Sequence, residues 1–220
     1  TSDDIAIANN LFIRGNSIYT IVDGPSWEEA EANANKLGGH LVTINDVDEN
    51  DFINYIKGEN NEPNWIGFTD KENEGVFRWS SGDEVTFTSW DSTQPDDHVD
   101  PHNLNGQDFV VILSNSENKI VWDDRSENAV WNHTGIAETK FIRRGDSAYV
   151  IVDGPSWEEA EANANKLGGH LVTINDAEEQ AFLEAQLPNQ SLWIGLTDSV
   201  EEGNWVWISG ENSTYRNWYI

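Results

Sequence analysis

From Ser17 to Val22 apolar and β-branched residues run without a charge, and this pattern predicts a strand. Gly24-Pro25 turns the chain. Ser26 and Glu29 then stand at the spacing of a capping box, so a helix opens there. Trp27, Ala30, Ala34 and Leu37 fall on one helical face, and Gly38-Gly39 ends it. His40 to Ile44 predicts a short strand. Asp46 with Glu49 caps a second helix whose inner side is Phe52, Ile53 and Ile56. Trp65 to Phe68 predicts a buried strand, and Phe109 to Leu113, Lys119 to Trp122 and Gly135 to Phe141 supply the closing strands. Strands and helices in this order describe an α+β domain.

Between the third and fourth of these strands, residues 70–108 show no regular period. A connection of that length is rare inside a compact domain unless something orders it. It is rich in Asp, Glu, Asn and Gln. Oxygen ligands around a hard cation would order such a segment.

The pattern then repeats. IVDGPSWEEAEANANKLGGHLVTIND, 26 residues, occupies Ile21 to Asp46 and, letter for letter, Ile151 to Asp176. Drift would have scrambled such a match, so the chain is a tandem array. Trp65-Ile66-Gly67 answers to Trp193-Ile194-Gly195. Trp79, Ser81 and Gly82 answer to Trp207, Ser209 and Gly210, and Trp90 to Trp218. Residues 12–141 are therefore expected to form one complete domain. Residues 142–220 are expected to be a second, C-terminally incomplete copy. Residues 1–11 are expected to be the tail of a preceding repeat or a linker, because Ile7-Ala8 resembles Ile136-Ala137.

Composition narrows the class. Twelve Lys and Arg against forty Asp and Glu give a formal charge of -28. That excludes binding nucleic acid by phosphate neutralisation. Eleven Trp and regular apolar patterning argue against disorder. Acid spread over the whole surface repels itself unless cations neutralise it. There is no cysteine, hence no disulfide and no thiolate metal site. No run reaches the length of a membrane span. No methionine is present, even at the start, as expected of a fragment or processed product. Sequons occur at Asn132, Asn189 and Asn212. His98 and His102 lack the partners of a zinc site. His40 and His170, inside the repeat, read as structural or surface residues. Carboxylate pairs are unavoidable in so acidic a chain and do not signal a glycosidase. The tryptophans read as core.

The helix pair, the Trp-Ile-Gly strand, the long loop, Gln94-Pro95-Asp96 and Trp122-Asp123-Asp124 together resemble a C-type lectin-like domain. The resemblance covers residues 12–141 fully and 142–220 in part, and is to a cysteine-free tandem array of bacterial extracellular type. It implies two helices, small antiparallel sheets and a long calcium-binding loop. It also implies a calcium ion held by Gln94, Asp96, Gln107, Asp123 and Asp124, with two sugar hydroxyls completing its shell. The sugar-contacting set by the same resemblance is Gln94, Asp96, His98, Gln107 and Asp123. An accessory calcium would use Asp70, Glu74, Asp97 and Asp108.

This chain departs from the family in lacking disulfides, and in carrying Gln107 and Asp123 where the family has an acid and an asparagine. The two exchanges cancel in charge. Each coordinated hydroxyl needs one carboxylate acceptor and one amide donor. Gln94 with Asp96 can serve one, and Gln107 with Asp123 the other. A QPD tripeptide alone implies galactose; exchange of the second pair as well leaves galactose and mannose both open.

The expected function is calcium-dependent binding of a glycan by a secreted or cell-surface protein. No enzymatic step is expected. The alternative is a structural or adhesive matrix or filament protein, whose calcium-stabilised domains bind protein, including their own neighbours. Self-association through the second copy belongs to that reading.

Overall fold

The computed structural model describes residues 5–7, 11–57, 62–99, 106–115, 119–127, 133–187 and 190–218. His102, Asn132 and Asn189 lie outside them. The chain divides into two compact units, Thr1–Ile151 and Val152–Ile220. Among the described residues no helix is long and apolar enough to cross a membrane.

The first unit runs β1 (Ile5–Ile7), β2 (Leu11–Arg14), β3 (Ser17–Asp23), α1 (Trp27–Lys36), β4 (His40–Leu41), α2 (Val47–Lys57), β5 (Asn64–Thr69), β6 (Arg78–Trp79), β7 (Phe109–Ser114), β8 (Ile120–Arg125) and β9 (Thr134–Lys140). A hairpin of β10 (Ile142–Arg144) and β11 (Ser147–Tyr149) follows. The described strands of the main sheet lie in the order β1-β2-β3-β9-β5-β7-β8, with β4 on β9 and β6 on β5.

Closure comes from β3 and β9, paired antiparallel over all seven residues from Ser17↔Lys140 to Asp23↔Thr134. Strand β9 also meets β5 in parallel at Asn64↔Thr134 and Trp65↔Gly135. A Cβ on Gly135 would lie 2.5 Å from the Leu41 side chain and 2.9 Å from that of Ala30, so only glycine lets helix and sheet approach here. Helix α1 is capped as its sequence predicts: the Ser26 hydroxyl accepts the Glu29 N–H at 3.2 Å. Its inner residues Trp27, Ala30, Ala34 and Leu37 are buried. Helix α2 starts with the Glu49 N–H donating to Asp46 at 2.8 Å.

Two expected elements differ in extent. The strand expected over His40 to Ile44 is ladder-bonded only at His40–Leu41. Beyond it, Val42 donates to Ile136 at 2.7 Å and accepts from Gly67 at 2.9 Å, so the chain bridges β9 and β5 instead of following either. Conversely, β8 runs three residues past Trp122. Asp123, Asp124 and Arg125 hid that extension, because charged residues break the apolar pattern a core strand shows.

The core packs Ile53 and Phe52 of α2 against Tyr19, Ile66, Ile112 and Ile136 of the sheet. Around Trp122, fully buried, lie the rings of Phe68 (5.6 Å), Trp79 (5.7 Å), Phe87 (5.8 Å) and Trp90 (6.0 Å). Its indole N–H donates to Asn50 Oδ1 at 3.0 Å, which satisfies its polar atom.

The second unit contains α3 (Trp157–Lys166), α4 (Ala177–Gln186), β12 (Leu196–Thr197) and β13 (Val206–Trp207). Identical sequence gives the same helix and side-chain bonds in both copies, whereas residues 21–23 and His40–Leu41 are strand in the first copy, where β9 pairs with them, and their counterparts in the second are not. Trp27 and Trp157 donate to Ile66 and Ile194 carbonyls, each at 2.8 Å. His40 and His170 each lie 2.6 Å from Glu31 and Glu161, which is the structural role expected of them. Trp193, Trp205 and Trp218 are 51%, 41% and 55% exposed. Trp207, by contrast, is 5% exposed. Its indole donates to the Ser213 carbonyl at 3.1 Å, and the Arg216 guanidinium stacks 5.4 Å from the ring centroid.

Candidate functional site

The candidate site forms where the long loop is bonded to β8. Trp122 donates to the Ser89 carbonyl at 2.8 Å, and Asp91 donates back to the Trp122 carbonyl at 2.9 Å. Gln94 donates to the Asp91 carbonyl at 3.0 Å, turning the chain into the cis Gln94-Pro95 bond. Asp96 and Asp97 then donate their N–H groups to the two carboxylate oxygens of Asp124, at 3.2 and 2.9 Å. A core strand and an irregular loop are thereby held in register, and Gln94 and Asp96 are carried to Asp123 and Asp124.

Gln107 and His98 join through Asp97. Asp97 sits at φ 43°, a left-handed conformation that Asp tolerates, and its carboxylate accepts the Gln107 N–H at 2.8 Å. The His98 N–H donates to Gln107 Oε1 at 2.9 Å. Gly106, at φ 88°, allows this contact: a Cβ there would lie 2.0 Å from Asp97 Oδ1.

A second acidic group stands beside the first. Asp70 is 3% exposed, and one of its oxygens accepts the Gly75 N–H at 2.8 Å. Its backbone N–H donates to the Asp108 carbonyl at 3.2 Å. Burial raises the Asp70 carboxyl to about 6, against the Gly75 hydrogen bond, and Glu74 and Asp108 add repulsion. Burial also raises Asp108, which feels Glu74 and Asp97. Asp70 is thus within electrostatic reach of Glu74 and Asp108, and Asp108 of Glu74 and Asp97.

The same is true at β8. Burial pushes the Asp123 carboxyl up to about 6; Arg125 opposes this, while Asp124, Asp96 and Asp91 reinforce it. Asp124 is raised by burial, against the N–H donors of Asp97 and Asp96. Carboxylates that repel one another in this way are stabilised by a cation.

Three oxygens in these groups are buried without a hydrogen-bond partner: Gln94 Oε1, Asp123 Oδ1 and Asp70 Oδ1. A buried acceptor left unpaired costs about 1–3 kcal/mol, more when charged. Every donor atom on offer is oxygen, the set that suits calcium and not a soft metal. Carboxylates alone do not close a cage: among the described residues no three His, Cys, Asp or Glu side chains stand together as a metal-holding group. A cage at β8 would need an amide oxygen as well, and Gln94 Oε1, buried and unpartnered, is available for it. The residues present fit a hard divalent cation.

Three residues went unnoticed in the sequence. Arg125 Nη2 lies 2.5 Å from Asp123 Oδ2. Two-residue spacing on a strand puts both on one face, a signal that was available once β8 was extended to Arg125. Asp91 contributes charge to the site and starts the turn at Gln94. His133 is 3% exposed with both ring nitrogens unpartnered, edge-on to Trp65 at 5.0 Å, and burial lowers its pKa. No motif pointed to it.

Comparison with known proteins agrees with this architecture. The lectin C-type domain model matches residues 23–132 and again 153–219, most of the chain. Human C-type mannose receptor 2 is 25% identical over 218 residues, covering 88% of this chain and 14% of the receptor. Mouse asialoglycoprotein receptor 2 is 37% identical over 90 residues, covering 40% of this chain and 29% of that protein. The chain thus spans a small part of either relative's length. The human scavenger receptor C-type lectin carbohydrate-recognition domain superposes with a TM-score of 0.53 at 24% identity, over 61% of this chain and 99% of that domain. The doubly matched family model, the fold and the loop bonded to β8 together place this chain in the C-type lectin domain family.

Proposed function

We propose that residues 12–141 form a domain that binds carbohydrate through a calcium ion, in a protein exposed outside the cell or on its surface. The observation that carries this reading is the pair of buried, unpartnered oxygens, Gln94 Oε1 and Asp123 Oδ1, beside a loop anchored by Asp124. Gln94, Asp96, Asp123 and Asp124 would hold the ion, with Gln107 at its edge. Asp70, Glu74, Asp97 and Asp108 would hold an accessory ion that fixes the loop. Bound calcium supplies a Lewis-acidic anchor for vicinal hydroxyls. The side chains orient those hydroxyls through donor and acceptor placement, and no bond is made or broken. His98, adjacent in the loop, would border the sugar. QPD favours a galactose-like ligand, and the exchanged Gln107 and Asp123 keep mannose-like ligands open. A glycan array read with calcium and with chelator tests this: calcium-dependent hits are expected, and their absence refutes it.

The second reading is an adhesive or structural array of such repeats, the next beginning near residue 142, with residues 1–11 belonging to a preceding repeat or linker. The exposed Trp193, Trp205 and Trp218 favour it, since apolar rings at a surface mark contact sites. Sedimentation velocity separates the two: concentration-dependent association with no glycan hits supports the array alone.

A further inference from the structure

We infer that Arg125 is a sugar-contacting residue, and that the Asp123–Arg125 pair together does what one asparagine amide would do. This inference rests on the calcium-dependent reading above.

At this position a lectin site of the kind proposed needs two functions from one side chain. An oxygen must face the ion, and an N–H must face a sugar hydroxyl. An amide supplies both; the carboxylate of Asp123 supplies only the first. Asp123 Oδ1 is buried and unpartnered, which suits it for the ion. Asp123 Oδ2 is taken by the guanidinium of Arg125 at 2.5 Å. The two side chains lie on the same face of β8, two residues apart. Asp123 is 13% exposed at its side chain and Arg125 36%. The carboxylate is therefore the inner half of the pair and the guanidinium the outer half.

A guanidinium carries five N–H donors in a fixed plane and cannot accept. Asp123 engages one nitrogen of it, leaving further donors to point at a ligand. Gln107, by contrast, has its amide oxygen committed to the His98 N–H and its backbone N–H to Asp97. Its orientation is set by the loop. Gln107 keeps its side-chain NH2 as a donor at that loop position, and Arg125 supplies the donor beside Asp123.

Charge points the same way. Asp91, Asp96, Asp123 and Asp124 contribute four negative charges, and the guanidinium beside Asp123 offsets one of them.

The test measures calcium and sugar separately in the full chain. Calcium affinity is read by titration calorimetry, and sugar binding on a glycan array with calcium present. Arg125→Ala is expected to retain calcium within a few-fold, or to bind it more tightly, because Asp123 loses a competitor. It is expected to weaken the array hits by at least about tenfold, the size of one charge-assisted hydrogen bond. Arg125→Lys is expected to recover part of the sugar signal. Gln107→Ala is expected to cost less than Arg125→Ala. If the parent gives calcium-dependent hits and Arg125→Ala gives the same hits, the inference falls and the lectin reading stands. Loss of calcium binding in both Arg125→Ala and Arg125→Lys would also overturn it, showing that Arg125 only builds the ion site. If the parent gives no calcium-dependent hits, the lectin reading itself fails and takes this one with it.

Discussion

The carboxylate of Asp124 accepts the backbone N–H of Asp97 at 2.9 Å, across 27 positions of sequence. With the neighbouring bond from Asp96 it ties the irregular loop to a core strand before any ion is considered. One side chain is thus both loop anchor and proposed ligand.

Asp124→Ala should consequently do more damage than Asp96→Ala. Both remove a proposed ligand, but only the first frees two part-buried backbone N–H donors that hold the loop. Asp124→Ala should destabilise the first unit by about 2–4 kcal/mol without calcium, and Asp96→Ala by under about 1 kcal/mol. Chemical denaturation in chelator measures this. Equal losses would mean that Asp124 does not anchor the loop.

Calcium should raise the melting temperature, since it neutralises repelling carboxylates and partners buried oxygens. The midpoint should rise with calcium concentration and fall back in chelator. Asp70→Asn should reduce that rise without abolishing glycan hits, as expected of an accessory ion. Coincident melts with calcium and chelator would remove calcium from the account.

The pH dependence has a definite sign. Asp70 and Asp123 are raised to about 6 in the folded protein, above their unfolded values. Between about pH 4 and pH 6 the ion-free folded state therefore binds more protons than the unfolded state, and these groups lose stability as pH rises. His133, lowered by burial, works in the opposite sense: its contribution is present above about pH 6.5 and is lost as pH falls through its folded value. In chelator, the Asp70→Asn, Asp123→Asn double variant should gain stability relative to the parent as pH is raised from about 5 to about 7. Calcium should erase the parent's loss. A difference between variant and parent that does not change with pH would contradict the burial of these two carboxylates.

Gly106→Ala should weaken calcium binding by roughly tenfold or more while leaving α1 and α2 intact. The backbone there is at φ 88°, and the added Cβ meets Asp97 at 2.0 Å, so Asp97 must leave Gln107. Circular dichroism and a calcium titration check the two halves of the statement.

Gln94→Glu with Asp96→Asn should change the preference among galactose- and mannose-terminated glycans, because acceptor and donor exchange places around one hydroxyl. An unchanged array profile would show that this pair does not read the sugar.

The local elements were legible in the sequence because they depend on residues close in the chain. Ser26 with Glu29, and Asp46 with Glu49, cap helices wherever they occur, and the repeat does so twice. Alternation and helical spacing identified Trp27, Ala30, Phe52, Ile53 and Trp65 as core, because burial follows periodicity. The family, and with it the loop between Asp70 and Asp108, was readable from motif order. Other features were decided by tertiary structure alone. Residues 42–45 leave the strand ladder because Val42 must reach both Ile136 and Gly67, which the sequence does not place together. Trp207 is buried by Arg216 and Ser213, although its pattern matches that of its exposed neighbours. The extension of β8 through Asp123, Asp124 and Arg125 was hidden by charge. Its acids are tolerated in a strand only because loop N–H groups, a guanidinium and the proposed ion meet them. Helix caps and apolar faces are one-dimensional signals. The loop N–H groups that meet buried Asp124 come from 28 and 27 positions away, and only the folded chain brings them to it.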